Sequence, residues 1–211
     1  MVSRRVVFWE VDAQADFMLP GGKLYVKGAE KLLPNIRKLT QAAREGLVFL
    51  VSHGCYHTKY DPEFSRFPPH CIKGTSGAGF VPEALTGKVV TIPNESTAAL
   101  PADLFQYQQI VLEKQTLDIF ESLHADALVK RFGHDAEFVV FGVVTEYCVQ
   151  LAAKGLLERG RRVALVQDAI ETLAREDGQR TIAELQTAGA RLINTEQALS
   201  LVWAESPRMK P

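Results

Sequence analysis

The sequence has little cysteine, no imbalance of charge and no long apolar stretch, and each shortage excludes something. Its three cysteines, Cys55, Cys71 and Cys148, cannot all pair among 211 residues, and their irregular spacing excludes a disulfide framework. Reduced thiols are expected. Lys and Arg total 24 against 25 Asp and Glu, and no basic stripe stands out, so no nucleic acid is expected as a partner. The opening "MVSRRVVFWEVDAQ" is interrupted by Glu10 and Asp12 too early for a signal segment or a membrane span. No membrane association and a cytoplasmic location are therefore expected. There is no internal repeat and no low-complexity tract. A small-molecule partner is what these exclusions leave.

What is present is alternation. Short, nearly continuous apolar runs recur at "RVVFWEVD", "GLVFLVS", "QIVLEK", "EFVVFGV", "RVALVQD" and "ARLIN", and read as six buried strands. Between most of them lie helical patterns, "KGAEKLLPNIRKLTQAAREG", "HADALVKRFG", "EYCVQLAAKGLLERG" and "REDGQRTIAELQTAG", each ending near a Gly. Strand and helix in turn predict a mostly parallel sheet covered on both faces, a three-layer α/β/α sandwich. One domain over 1–211 is expected, with a long polar loop at about 53–87 and a frayed tail "ESPRMKP". In such sheets ligands bind beyond the carboxyl ends of the strands.

Reactive groups stand at those ends. Asp12 follows the first run, His53 and His57 the second, Lys114 ends "QIVLEK", and Cys148 follows "EFVVFGV". Each alone reads more readily as a turn residue, a solvated charge or a packing thiol. Together they make chemical sense: a carboxylate can take a thiol proton, and an ammonium favours the developing thiolate. Thr145 is placed to cap the helix that carries Cys148, whose amides and dipole would lower a thiol pKa and hold an oxyanion.

Four blocks of the sequence resemble the isochorismatase-like cysteine hydrolases, and within them the nicotinamidase branch. "VDAQADFMLPGGKLYVKGAE" is similar to the family's opening block, with Asp12 at the catalytic Asp. "VLEKQTLDIF" resembles the lysine block, with Lys114. "FGVVTEYCVQLAAKGLLERG" resembles the nucleophile block, with Cys148. "FPPHCIKGTSGAGF" resembles a segment of the nicotinamidases. The resemblance implies hydrolysis of an amide, nicotinamide to nicotinate and ammonia, through a thioester on Cys148. It further implies a cis peptide between Val143 and Val144, an oxyanion hole from the Val144 and Cys148 N–H groups, and a substrate ring held by Phe17 and Phe67 beside Tyr147. Gln14 and Asp16 match positions that order the loop. Cys71 is expected to be structural, and self-association into a homo-oligomer is implied.

The same resemblance implies a divalent metal, zinc, iron or manganese, held by an Asp-x-His pair and the His of "PPHC". Here the pattern departs, because Val51 and Cys55 stand two residues before His53 and His57. An unshifted alignment gives His53, His57 and His70 as ligands; a shifted one puts Cys55 and His57 in the Asp-x-His places, which would favour zinc over manganese. Two other readings stay open: a metal-independent hydrolase acting on another amide, ureide or carbamoyl compound, and a catalytically silent binding module.

Overall fold

A computed structural model of the chain describes residues 6–205. The part of the expected frayed tail at 206–211 lies outside the described residues. Strand β1 (Val6–Val11) leads through a single helical turn, α1 (Ala15–Met18), to helix α2 (Leu33–Arg44) and strand β2 (Phe49–Cys55). Strands β3 (Val89–Ile92) and β4 (Gln109–Lys114) follow, then the short α3 (Ala125–Val129) and strand β5 (Glu137–Val143). A π-helical turn at Thr145–Val149 runs into α4 (Gln150–Glu158). The chain continues through β6 (Arg162–Glu171), α5 (Arg175–Thr187), β7 (Arg191–Ile193) and α6 (Thr195–Glu205).

The seven strands form one parallel sheet in the order β3-β4-β2-β1-β5-β6-β7. Helices α2 and α6 pack together on one face and α4 and α5 on the other, giving the three-layer α/β/α architecture. Every residue of β1, β2 and β5 is buried. Coverage of both faces is why these strands read as unbroken apolar runs rather than alternating ones.

Two elements depart from the sequence reading. Strand β3 was not anticipated; its "VVTI" is half exposed at the sheet edge and too short to stand out. Helix α6 was not anticipated either. Strand β2, moreover, runs through His53 to Cys55, so the irregular segment begins at Tyr56. That segment is ordered by 3₁₀ turns at Pro62–Ser65, Ser76–Ala78 and Pro82–Ala84 and by a bridge between His57 and Ile72.

The order of strands sets the site. From β1 the chain moves to β2 on one side and later returns as β5 on the other, so the crevice beyond the end of β1 is a switch point where such folds bind ligands. Gly142 makes the junction of β1 and β5 fit: at φ +117° a Cβ there would lie 2.0 Å from the Val11 carbonyl oxygen.

Candidate active site

Asp12 follows directly on β1, with a left-handed φ of 49°, a region that Asp tolerates better than most residues. Its N–H bonds the His53 carbonyl at 2.9 Å, tying it to the neighbouring β2. Lys114, the last residue of β4, is fully buried and lies opposite Cys55 in the β2–β4 register. Its Nζ stands 3.0 Å from Asp12 Oδ2, 2.9 Å from Cys55 Sγ and 3.5 Å from Cys148 Sγ. One ammonium thus gathers a carboxylate and two sulfurs from the ends of four strands.

Burial alone would make the Lys114 ammonium give up its proton. The Asp12 carboxylate and the two sulfurs outweigh that and hold it well above the ordinary lysine range. The neighbouring Cys148 lowers the Cys55 thiol well below the usual range, against the effect of burial and with help from Lys114. Cys55, together with burial and the Asp12 charge, holds the Cys148 thiol well above it.

Cys148 is delivered by an unusual local structure. The peptide between Val143 and Val144 is cis, and the following turn closes by a π-type bond from Val149 N–H to Val144 C=O. The helix is not capped as the sequence suggested. Val144 occupies the N-cap position, and the Thr145 hydroxyl instead donates to the Glu171 carbonyl of β6 at 2.7 Å. That carbonyl captures the hydroxyl, so the turn is pinned to the sheet rather than closed on itself.

The three candidate metal histidines are not brought together. Ligand atoms of Cys55, His57 and His70 lie within 4.8 Å of one another, and His53 is outside the group. The reason is the position along the strand. His53 is still inside β2, under Asp12, with its Nδ1 3.6 Å from Asp12 Oδ1 and its ring against Trp9. Burial lowers its pKa, against the pull of Asp12. Only beyond Cys55 does the chain leave the sheet and turn His57 toward His70, their ring centroids 4.8 Å apart.

Gln14 and Asp16 build this cluster from behind. The Gln14 amide bonds both the N–H and the C=O of Cys55, at 2.8 and 2.7 Å. Asp16 accepts from the Cys71 N–H at 2.7 Å, fixing the backbone next to His70. A Cβ on Gly77 would strike the Asp16 carboxylate at 2.2 Å, so that approach needs glycine. His70 Nδ1 bonds the Pro68 carbonyl at 2.8 Å, which leaves Nε2 as the nitrogen facing the site. Cys71 turns away, its Sγ near the Gly77 carbonyl.

These residues fit a divalent cation. Among the described residues both ring nitrogens of His57 are buried without a hydrogen-bond partner, although Asp61 Oδ2 lies 3.1 Å from Nδ1. A buried imidazole with two unmet nitrogens beside a cysteine sulfur is a donor set suited to zinc. Glu63, missed in the sequence, stands over the pair, its Oε1 3.9 Å from His57 Nε2 and 3.8 Å from His70 Nε2. It is aimed there by Asp61, whose carboxylate accepts the Glu63 N–H. No periodicity in "YDPEF" marks it.

Above the thiols lies a narrow cleft, walled by Phe17, Leu24, Phe67, Leu117, Tyr147 and Leu173. Phe17 and Phe67 each contact the His70 ring, with centroids 5.2 and 6.4 Å away, and Phe67 meets Tyr147 edge-on at 5.9 Å. The candidate aromatic residues therefore share one wall with the cation cluster, with Asp12, Cys55 and Cys148 also in its lining.

Comparison with known proteins agrees with this arrangement. The Isochorismatase domain matches residues 7–92 and 84–197. The nicotinamidase/pyrazinamidase of Mycobacterium tuberculosis is 27% identical over 191 residues, covering 87% of this chain and 95% of that protein. An isochorismatase-like hydrolase from Alkaliphilus metalliredigens superposes with a TM-score of 0.75 at 21% identity, covering 94% of this chain and 99% of the other. The pyrazinamidase of Pyrococcus horikoshii, solved in complex with zinc, superposes with a TM-score of 0.72 at 24% identity, covering 90% and 99%. With an acid, an ammonium and a thiol converging at the switch point of the matched fold, the chain belongs to the isochorismatase family of hydrolases.

Proposed function

We propose that this protein is a cysteine amidohydrolase that cleaves a small aromatic carboxamide, nicotinamide in the first instance, to the acid and ammonia. The observation that carries the reading is Lys114 Nζ lying 3.0 Å from Asp12 and 3.5 Å from Cys148 on the floor of an apolar cleft. The 27% identical nicotinamidase/pyrazinamidase supports the substrate class.

In this reading Cys148 attacks the carboxamide carbon while Asp12 accepts the thiol proton. Lys114 holds both in place and favours the negative charge that passes between them. The oxygen of the tetrahedral intermediate rests on the Val144 and Cys148 N–H groups, since the first amides of a helix lack intrahelical acceptors. Asp12 passes its proton to the departing ammonia, and water activated by the same carboxylate hydrolyses the thioester. Phe17, Phe67 and Tyr147 hold the ring and exclude bulk water. Cys55, His57 and His70 would hold a divalent cation, which supplies a Lewis-acid face for a ring nitrogen or a water when bound.

A second reading is favoured by one observation. Lys114 Nζ sits 2.9 Å from Cys55 Sγ, which suits a site that holds the Cys55 sulfur with an ammonium alone and acts without metal on another amide, ureide or carbamoyl compound. The test is ammonia release from nicotinamide by protein of assayed metal content. Release lost in Cys148→Ala supports the first reading; no release from metal-free protein that cleaves ureides supports the second.

A further inference from the structure

We propose that Cys55 and Cys148 form a reversible disulfide on exposure to hydroperoxide, a redox modification site at the heart of the active centre. Hydrolysis by one cysteine has no need of a second thiol, yet two sulfurs lie on the same Lys114 Nζ, at 2.9 and 3.5 Å. Two sulfurs this close to one nitrogen are near neighbours of each other. Both are free and both line the cleft, Cys148 5% and Cys55 1% exposed, so a small oxidant entering it meets Cys148 first. The third thiol is set apart: Cys71 Sγ faces the Gly77 carbonyl.

The chemistry balances as two steps. The Cys148 sulfur gives its proton to Asp12 and attacks the terminal oxygen of the hydroperoxide; the S–O bond forms, the O–O bond breaks, and the departing oxygen takes that proton and leaves as an alcohol or water, giving the sulfenic acid. Cys55 Sγ then attacks that sulfur, the S–S bond forms, the S–O bond breaks, and the oxygen leaves as water. Overall two thiols give two electrons and two protons to one hydroperoxide. The disulfide removes the nucleophile and one member of the cation cluster together, and a dithiol restores both. Without Cys55 the sulfenic acid has no partner thiol at hand and oxidises further, to the irreversible sulfinic acid.

The test treats the full chain, as purified and after a chelator, with hydrogen peroxide, and counts thiols after denaturation. In the chelator-treated protein free thiols should fall from three to one, a peptide linking Cys55 to Cys148 should be found by mass spectrometry, and dithiothreitol should return all three. Cys71→Ser should still form the link. In Cys55→Ser, Cys148 should pass to the sulfinic acid and fail to recover with dithiothreitol; should that variant not fold, the thiol count and linked peptide of the unaltered chain decide. A Cys148 sulfinic acid in the unaltered chain, a link through Cys71, or three surviving thiols would overturn the proposal. Amide hydrolysis by the reduced protein is read separately, so failure here leaves the proposed function untouched.

Discussion

Cys55 Sγ lies closer to Lys114 Nζ than the sulfur of Cys148 does, 2.9 Å against 3.5 Å. The lysine of this site therefore serves two sulfurs and a carboxylate at once, and its removal has consequences that separate charge balance from catalysis.

Lys114→Met leaves the Asp12 carboxylate buried without its ammonium. Breaking a buried ion pair on one side costs roughly 3–5 kcal/mol, and Lys114→Met should lose about that much in denaturant unfolding. The double variant Asp12→Asn/Lys114→Met should recover part of the loss, because it removes both charges. Both should be inactive.

Cys148→Ala should abolish turnover while keeping the fold. Trimming one sulfur from a tight site costs about 1–2 kcal/mol, so cooperative unfolding should persist with a modestly lowered midpoint. Circular dichroism together with ammonia release checks both halves.

Cation binding should depend on His57 and His70 and not on His53. Equilibrium dialysis with zinc alone should show the affinity of His57→Ala and His70→Ala reduced by at least about 10²-fold, and that of His53→Gln little changed. A loss in His53→Gln equal to the others would return His53 to the ligand set.

Stability should fall with rising pH through the buried Glu10. Glu10 is fully buried against Ser52, and burial pushes its carboxyl up to about 8 from 4.5. The native state therefore keeps a proton that the unfolded chain releases near 4.5. This contribution is complete below the unfolded value and is lost as pH rises through the folded one, by at most about 4 to 5 kcal/mol. Glu10→Gln should flatten the decline in stability between pH 5 and pH 8, and unfolding at several pH values would show it.

Much of this was legible because burial writes itself into composition. Strands covered on both faces must be apolar throughout, so β1, β2, β4 and β5 stood out, and the residues ending or following them, Asp12, Lys114 and Cys148, could be named from chain position. The half-exposed β3 left no such mark, and the "ALSLVWA" of α6 lacks a clear polar face. The choice between His53 and Cys55 was not legible for a different reason. Residues two apart share a face of a strand, so 53, 55 and 57 look equivalent until one knows where the strand ends. Glu63 depends on how an irregular loop folds back, which has no period to read.

The central claim is that Cys148 carries the acyl group. The direct measurement is acid quenching during turnover of nicotinamide, followed by mass spectrometry of the peptide containing Cys148. A nicotinoyl adduct on that peptide, absent in Cys148→Ala together with ammonia release, is the result this account predicts. Ammonia released by Cys148→Ala at an undiminished rate, with no adduct on the unaltered protein, would contradict it.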